Sequence, residues 1–144
     1  MIRAATEADV PALYDMVIEL AQFERLSDQV FCTEDNLRDA LFGTKPVVRD
    51  TVALAADGSV AGHALWYPTF STFLGQHGIW LEDLYIRPEH RRAGHARALM
   101  DDLRTRTDGR LEWEVLEWNA QAIDFYLNLG ARPMAGWTKY RWVL

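Results

Sequence analysis

Residues 84–100 read LYIRPEHRRAGHARALM, and within this stretch a strand is predicted to end and a helix to begin. An apolar run ends at Arg87-Pro88, and Gly94 precedes a run of good helix formers. The first turn of a helix carries unpaired N–H groups and partial positive charge, which bind anions. Residues 87–97 hold four arginines against one glutamate, a local charge of +3 in a chain of net charge −6. The stretch therefore predicts a phosphate site, with a solvated basic turn as the alternative. It matches neither the ATP-binding pattern GxxxxGKS/T nor the dinucleotide pattern GxGxxG.

The elements on either side of this turn form a βαβ unit. Strand 79–86, helix 94–106 and strand 110–118 follow one another, so the strands are expected to be parallel with a right-handed crossover. The other predicted elements are, in chain order, a strand at 2–5, a helix from Thr6 to Leu26, a helix from Thr33 to Phe42, a hairpin around 57–59, a loop at 69–78, a helix from Asn119 to Gly130 and a strand at 136–143. This order predicts a mixed α/β fold, one sheet with helices packed on it.

Length and composition restrict the class of protein. The 144 residues are 49% apolar and 25% charged, which predicts one globular domain spanning 1–144. No apolar run approaches the roughly 20 residues of a membrane helix, and the N-terminus lacks a signal-peptide layout. A single cysteine, Cys32, allows no internal disulfide, so a cytoplasmic location is expected. The net charge of −6 argues against general nucleic-acid binding.

Three carboxylates stand where apolar residues are expected. Glu82 and Asp83 interrupt strand 79–86, and because side chains alternate they should point to opposite faces. A buried carboxylate is costly unless it is paired or hydrated, so a functional site and a solvent channel with arginine partners are both open. Glu24 continues the apolar stripe of the first helix, seven residues after Val17. A bent or frayed helix end is the alternative for Glu24.

Asn119 and Tyr126 are predicted to share one helix face. They lie seven residues apart, which is about two turns of α-helix. Asn119 is a natural N-cap for the helix that follows. Tyr126 lies on a stripe with Ala122 and Ile123, so it is either an amphipathic core tyrosine or a functional group.

The turn after strand 79–86 resembles a known family signature. Arg91, Gly94 and Ala96 fit Arg/Gln-x-x-Gly-x-Gly/Ala, the acetyl-CoA signature of the GNAT N-acetyltransferases. Three longer stretches resemble the diamine (spermidine/spermine) N-acetyltransferase branch of that family: ELAQFERL at 19–26, FLGQHGIWLEDLYIRPEHR at 73–91 and LEWNAQAIDFYLNLGA at 116–131. The resemblance covers nearly the whole chain in the right order. It implies the GNAT fold, a mainly antiparallel mixed sheet with one splayed parallel pair and about four helices.

Two features depart from the family pattern. Relatives usually have glycine directly after the signature arginine, where this chain has Arg92. Arg92 must therefore reach its backbone conformation with a side chain, and its charge adds a cation for phosphate. Residues 101–110 are about four residues shorter than in relatives. The helix is expected to lose about one turn at its far end, which leaves the phosphate end intact.

The resemblance implies a set of cofactor and catalytic residues. Acetyl-CoA would be the cosubstrate, with its pyrophosphate at 91–97 and its pantetheine arm between the two parallel strands. Tyr126 would protonate the departing CoA thiolate, and Glu82 would assist deprotonation of the amine, through water. The cofactor-binding set would be Leu84, Tyr85, Ile86, Arg91, Arg92, Ala93, Gly94, His95, Ala96, Arg97, Asn119, Ala122 and Tyr126.

The resemblance also implies a small-molecule amine as acceptor, bound by Phe23, Glu24, Glu82 and Asp83. Polyamine-acetylating relatives often have tyrosine where this chain has Phe23, so the amine itself stays open. The alternatives are an amino acid or its analogue, a protein amine, or a CoA-binding module without turnover. A homodimer is implied, often through the C-terminal strand. No histidine shows metal-ligand spacing, so no metal is expected.

Overall fold

The computed structural model describes residues 1–143, which divide into two compact units. The first unit is Met1–Glu114, and the second begins at Val115. The first unit contains the helices α1 (Val10–Phe23), α2 (Glu34–Phe42) and α3 (His95–Arg104) and the strands β1 (Ile2–Ala4), β2 (Arg49–Leu54), β3 (Val60–Ser71), β4 (Gln76–Ile86) and β5 (Leu111–Glu112). The described part of the second unit contains the helix α4 (Ala120–Asn128). Within residues 1–143, none of these helices has both the length and the apolar character that a membrane crossing requires.

The five strands form one sheet in chain order, β1-β2-β3-β4-β5. The first four are antiparallel to their neighbours, and β4 and β5 are parallel. The parallel pair is the one that the βαβ unit predicts, with α3 as the crossover. The expected fold class is therefore confirmed: a mixed, mainly antiparallel sheet with one parallel pair and, in the described residues, four α-helices.

Helices cover both faces of the sheet in the first unit. Residues 50–53 of β2 and 61–66 of β3 are all buried, and alternating side chains can be buried consecutively only when both faces are covered. α3 buries Leu99, Met100 and Leu103 and packs against β1 to β4. The core under α1 and α2 consists of Leu13, Met16, Leu37, Leu41, Val52, Leu65 and Tyr85.

Local hydrogen bonds fix the start of the short helical turn at 7–9, which leads into α1, and the start of α2. The Thr6 N–H donates to Asp9 Oδ2 at 2.7 Å, and the Arg3 guanidinium donates to both Asp9 oxygens, at 2.7 and 3.0 Å. The Arg3 hydrogen bond holds the pKa of Asp9 below its usual value. Thr33 Oγ1 accepts from the Asn36 N–H at 3.1 Å at the start of α2. Both helix starts agree with the capping patterns in the sequence.

Three predicted elements differ from the structure. Residues 69–78, predicted as a loop, are mostly strand, because β3 extends to Ser71 and β4 begins at Gln76. The strand predicted at 110–118 is reduced to β5, and the prediction of a strand at 136–143 is wrong. A strand needs a neighbour that pairs its backbone groups. The apolar and aromatic residues of both segments carry no information on whether such a neighbour exists.

Candidate functional site

The turn between β4 and α3 contains two left-handed residues. Arg92 has φ of 62° and Gly94 has φ of 83°. A glycine at position 92 would adopt this conformation without strain, which accounts for the family preference that Arg92 departs from. Gly94 is the N-cap of α3, and a Cβ built there would meet no atom within 4 Å. The backbone at the start of α3 therefore faces open space, as an anion-binding helix N-terminus requires.

The arginines of this turn have different partners. Arg91 Nε donates to the Ile86 carbonyl at 3.0 Å, and its guanidinium lies 5.7 Å from the ring centroids of Phe23 and Tyr85. Arg97 Nε donates to both carboxylate oxygens of an aspartate one turn later, at 3.0 Å each. Arg92 is exposed, as is Ala93, while His95 and Ala96 are half-buried in the first turn of α3. Arg91 thus connects the turn to β4 and to the end of α1.

The edge of β4 next to β5 is only partly paired. In the described chain the parallel ladder consists of Ile79 with Leu111 and Trp80 with Glu112. The backbone of residues 84–86, predicted to contact the pantetheine arm, lies beyond the end of that ladder. Tyr85 is buried in the core under α1 and α2, so from this residue only the backbone is positioned to face a ligand at the strand edge.

Glu82 and Asp83 occupy different environments on β4. The ladder with β3 pairs Leu65 with Asp83 and Trp66 with Leu81, so Glu82 is the extra residue of a bulge. Glu82 is exposed and its Oε2 accepts from the indole N–H of Trp80 at 2.9 Å. Asp83 is half-buried, and burial raises the pKa of its carboxyl. The two acids therefore differ in exposure, and the bulge interrupts the regular alternation of faces on which their predicted separation depends.

Glu24 lies directly after α1, next to the half-exposed Phe23. Its pKa is raised, first by burial and then by the negative charge of Asp83. The structure therefore brings Glu24, Asp83 and Glu82 into one electrostatic group, although Glu24 and Asp83 are far apart in sequence. The sequence places Glu24 on the helix stripe, whereas in the structure it is the residue that ends α1.

A buried ion pair next to these acids is absent from the sequence-based site. His63 Nδ1 lies 2.8 Å from Asp50 Oδ2, and both side chains are fully buried. Burial raises the pKa of Asp50 to about 6. Burial alone would lower the pKa of His63, but the Asp50 carboxylate outweighs it and raises that pKa. The sequence feature that could have indicated this pair is the presence of an aspartate and a histidine within two otherwise apolar strands.

The second unit carries the remaining predicted residues on α4. Asn119 Oδ1 accepts from the Ala122 N–H at 3.2 Å, so its N-cap role is confirmed. The Tyr126 ring lies 5.4 Å from the Phe125 ring, centroid to centroid, in an edge-to-face arrangement. Tyr126, Ala122 and Asn119 are all half-buried. Across residues 1–143, no group of three or more histidine, cysteine or acidic side chains is arranged to hold a metal ion.

Comparison with known proteins assigns the chain to a family. The model of the acetyltransferase (GNAT) family matches residues 11–131. The chain is 36% identical to the thialysine N-epsilon-acetyltransferase of Sus scrofa, covering 98% of this chain and 91% of that protein. It is 28% identical to the L-ornithine N5-acetyltransferase of Arabidopsis thaliana, covering 94% of this chain and 81% of that protein. A solved structure of a probable acetyltransferase shares the fold, with a TM-score of 0.80, 20% identity, and 100% and 97% of the two chains covered.

Enzymes of this family use acetyl-CoA as the acetyl donor. The open N-terminus of α3, with its left-handed Gly94 and exposed Arg92, fits the pyrophosphate of that cosubstrate. The match extends over most of the chain and covers part of both compact units. This chain therefore belongs to the GNAT family of N-acetyltransferases.

Proposed function

We propose that this enzyme transfers acetyl from acetyl-CoA to a primary amine of a small polyamine-like or diamine-like molecule. The main support is the electrostatic group of Glu24, Asp83 and Glu82. The charge of Asp83 raises the pKa of Glu24 beyond the effect of burial, so a cation bound near both is favourable. A protonated amine supplies that cation, and a small amine can reach half-buried carboxylates that a rigid protein surface would not enter.

The acetyl donor is proposed to bind along the edge of β4 and at the start of α3. The first-turn N–H groups of α3 and the exposed Arg92 would hold the pyrophosphate. The backbone of Leu84 and Ile86 would hold the pantetheine arm and donate to the thioester carbonyl as charge develops on it. Arg91 Nε already donates to the Ile86 carbonyl, and this oxygen has a second lone pair with which it can accept from the pantetheine arm.

The proposed chemistry is direct attack within a ternary complex. An alkylammonium has a pKa near 10.4 and must lose a proton before its nitrogen can attack. Glu82 accepts this proton, through water, while the new N–C bond forms and the C–S bond breaks. Tyr126 donates its hydroxyl proton to the departing sulfur, a role that the family resemblance gives to this residue. No acetylated enzyme forms.

A basic amino acid or its analogue is the second candidate acceptor. The two relatives named above act, by their names, on thialysine and on the N5 amine of L-ornithine. Both molecules carry a side-chain primary amine and a second ammonium group. The same carboxylates, Glu24 and Asp83, would then bind one ammonium while the other is acetylated.

A panel of acceptors tests the proposal. Initial rates with acetyl-CoA are measured for linear diamines, polyamines, ornithine, lysine and a lysine-containing peptide. A kcat/KM for diamines or basic amino acids at least about tenfold above that for the peptide supports a small-amine enzyme. Preference for the peptide would contradict it, and CoA binding without transfer to any amine would indicate a module without turnover.

We also propose that the enzyme is cytoplasmic, as its single cysteine favours, and that it forms a homodimer, as the family resemblance implies. Large apolar side chains of the second unit are exposed: Trp137 by 77%, Tyr140 by 89% and Trp142 by 90%. A second copy of the chain would cover such residues and could pair residues 136–143 as a strand. Light scattering coupled to gel filtration tests the dimer, and a monomer at micromolar concentration would contradict it.

A further inference from the structure

A buried pair of titratable groups lies under α1 and is not used by the proposed chemistry. Asp50 on β2 and His63 on β3 are 2.8 Å apart and have no solvent-exposed side-chain surface. Asp50 Oδ1 and His63 Nε2 are buried without a hydrogen-bond partner among the described residues. Buried polar atoms without partners are unfavourable and uncommon, so this pair calls for a reason other than packing.

The strand register connects this pair to the acids of the amine site. Leu65 lies opposite both Asp50 and Asp83, and His63 lies opposite Tyr85. Side chains directly opposite one another lie on the same face of a sheet, and so do residues two apart on a strand. Asp50, His63 and Asp83 therefore share the face covered by α1 and α2. His63 is on the strand between the two aspartates, diagonal to each.

Charged groups on or next to both neighbouring strands act on the protonation of His63. Burial disfavours its protonated form, and the Asp50 and Asp83 carboxylates favour it and outweigh burial. Arg87, directly after β4, opposes protonation and is itself paired with Glu19 of α1 at 3.4 Å. The other charges that act on the two aspartates are Asp9, which precedes α1, and Glu82 on β4, and Asp83 in turn acts on Glu24 at the end of α1.

A proton on His63 has a direct effect on the amine site. Protonated His63 lowers the pKa of Asp83 and so favours its carboxylate form, against the burial that raises this pKa. Asp50 holds the ring through Nδ1, and its carboxylate favours the protonated imidazole. Asp50 and His63 therefore act as one unit whose charge is sensed by Asp83.

We propose that Asp50 and His63 are positioning residues that keep Asp83 ionised, so that the acceptor site selects substrates with a second ammonium group. This inference rests on the proposed function, because it concerns the same acceptor site. Neither residue touches substrate, since both are fully buried. Their effect is on selectivity for dicationic over monocationic amines rather than on acetyl transfer itself.

Kinetics of Asp50→Asn and His63→Gln test the proposal. For a linear diamine, both variants should raise KM on the order of tenfold, because an Asp83 that has become protonated no longer attracts the second ammonium group. The KM for the matched monoamine, the kcat and the KM for acetyl-CoA should change far less. The double variant should lose no more selectivity than either single variant, because the pair acts as a unit. Unchanged preference for the diamine over the monoamine in folded variants would overturn the proposal.

Thr51→Val is the matched control. Thr51 is buried on β2 beside Asp50, faces the opposite side of the sheet and accepts a hydrogen bond from the Trp66 indole at 3.2 Å. Its loss perturbs a buried polar contact on the same strand, so it reports any general destabilisation. The control should keep the diamine preference of the unmodified enzyme, and an equal loss of preference would assign the effect to destabilisation and overturn the proposal.

A titration of the unmodified enzyme tests the proposal even if the variants do not fold. The pH titration of His63 is followed by NMR in the presence of CoA, with and without the diamine. In the proposal a proton on His63 strengthens diamine binding, so by reciprocal linkage the bound diamine should raise the pKa of His63, and a lowered pKa would contradict the proposal. An identical His63 titration with and without bound diamine would overturn the inference. If the enzyme acetylates no amine, the proposed function fails separately.

Discussion

Replacing Arg92 separates two effects that this residue combines in the cofactor turn. Its φ of 62° is a left-handed conformation that costs a side-chain-bearing residue about 1–2 kcal/mol. Arg92→Gly removes that strain. The greater freedom of glycine in the unfolded chain, however, destabilises the folded state by roughly 0.5–1 kcal/mol. We expect the free energy of unfolding to change by at most about 1 kcal/mol, because the two contributions oppose each other.

The cofactor affinity should respond to the charge of Arg92 and not to its conformation. Arg92→Ala keeps a side chain but removes a cation next to the proposed pyrophosphate site, and it should raise the Kd for CoA by roughly three- to tenfold at low salt. Arg92→Gly should raise it by a similar factor. The effect should shrink at high ionic strength, because exposed charges are screened within about 8–10 Å.

Calorimetric titration with CoA at two salt concentrations measures these changes. Arg104→Ala is the matched control, because it removes an equal charge from the far end of the ten-residue α3, about 15 Å away. It should leave the Kd nearly unchanged. An unaltered Kd for Arg92→Ala at low salt, or an equal loss in the control, would refute the assignment of Arg92 to the pyrophosphate.

Three further predictions concern single residues. Asp9→Asn should lower the free energy of unfolding by about 1.5–3 kcal/mol at neutral pH, because it removes the charged hydrogen bonds from Arg3. Since the folded pKa of Asp9 is lowered, its contribution is present above the unfolded pKa and lost as pH falls through the folded one, which acid titration of stability measures. Asn119→Ala should lower the free energy of unfolding, measured by thermal unfolding, by about 1 kcal/mol. Asn119→Ser should retain most of that stability, because serine also caps a helix N-terminus. Glu82→Gln should lower kcat/KM about 100-fold at pH 7, and less at high pH, where the amine deprotonates by itself.

Each of these predictions has an outcome against it. Identical acid transitions for Asp9→Asn and the unmodified protein would mean that the Arg3 pair contributes no pH-dependent stability. Failure of Asn119→Ser to recover the loss would assign Asn119 a role other than capping α4. Glu112→Gln removes an exposed acid from β5, and an equal fall in activity there would argue against Glu82 as the specific base.

The helices and the parallel strand pair follow from local sequence. Thr33 and Gly43 bound α2 as predicted, since a cap and a terminating glycine act within a few residues. Gly94 at φ 83° confirms a helix start that the glycine and the helix formers after it indicate. The prediction of a strand at 136–143 is wrong because pairing depends on a neighbour elsewhere in space, which the aromatic residues of the segment do not reveal.

The acidic site was predictable only in part. The sequence shows that Glu82 and Asp83 are charged residues within an apolar strand. The bulge that separates their environments is seen only in the register with β3. The pairing of Asp50 with His63 spans 13 residues across a hairpin, and only the register shows that they meet. Sequence periodicity indicates which residues are out of place and leaves their partners undefined.

We propose that this chain acetylates a small amine with Tyr126 as the proton donor to sulfur. Mass spectrometry of a diamine or ornithine after incubation with acetyl-CoA tests it directly, with the unmodified enzyme and with Tyr126→Phe. We expect N-acetylated amine from the unmodified enzyme, and about 100-fold slower formation by Tyr126→Phe with CoA affinity retained. No acetylated amine from the unmodified enzyme, or a near-normal rate from Tyr126→Phe, would contradict it.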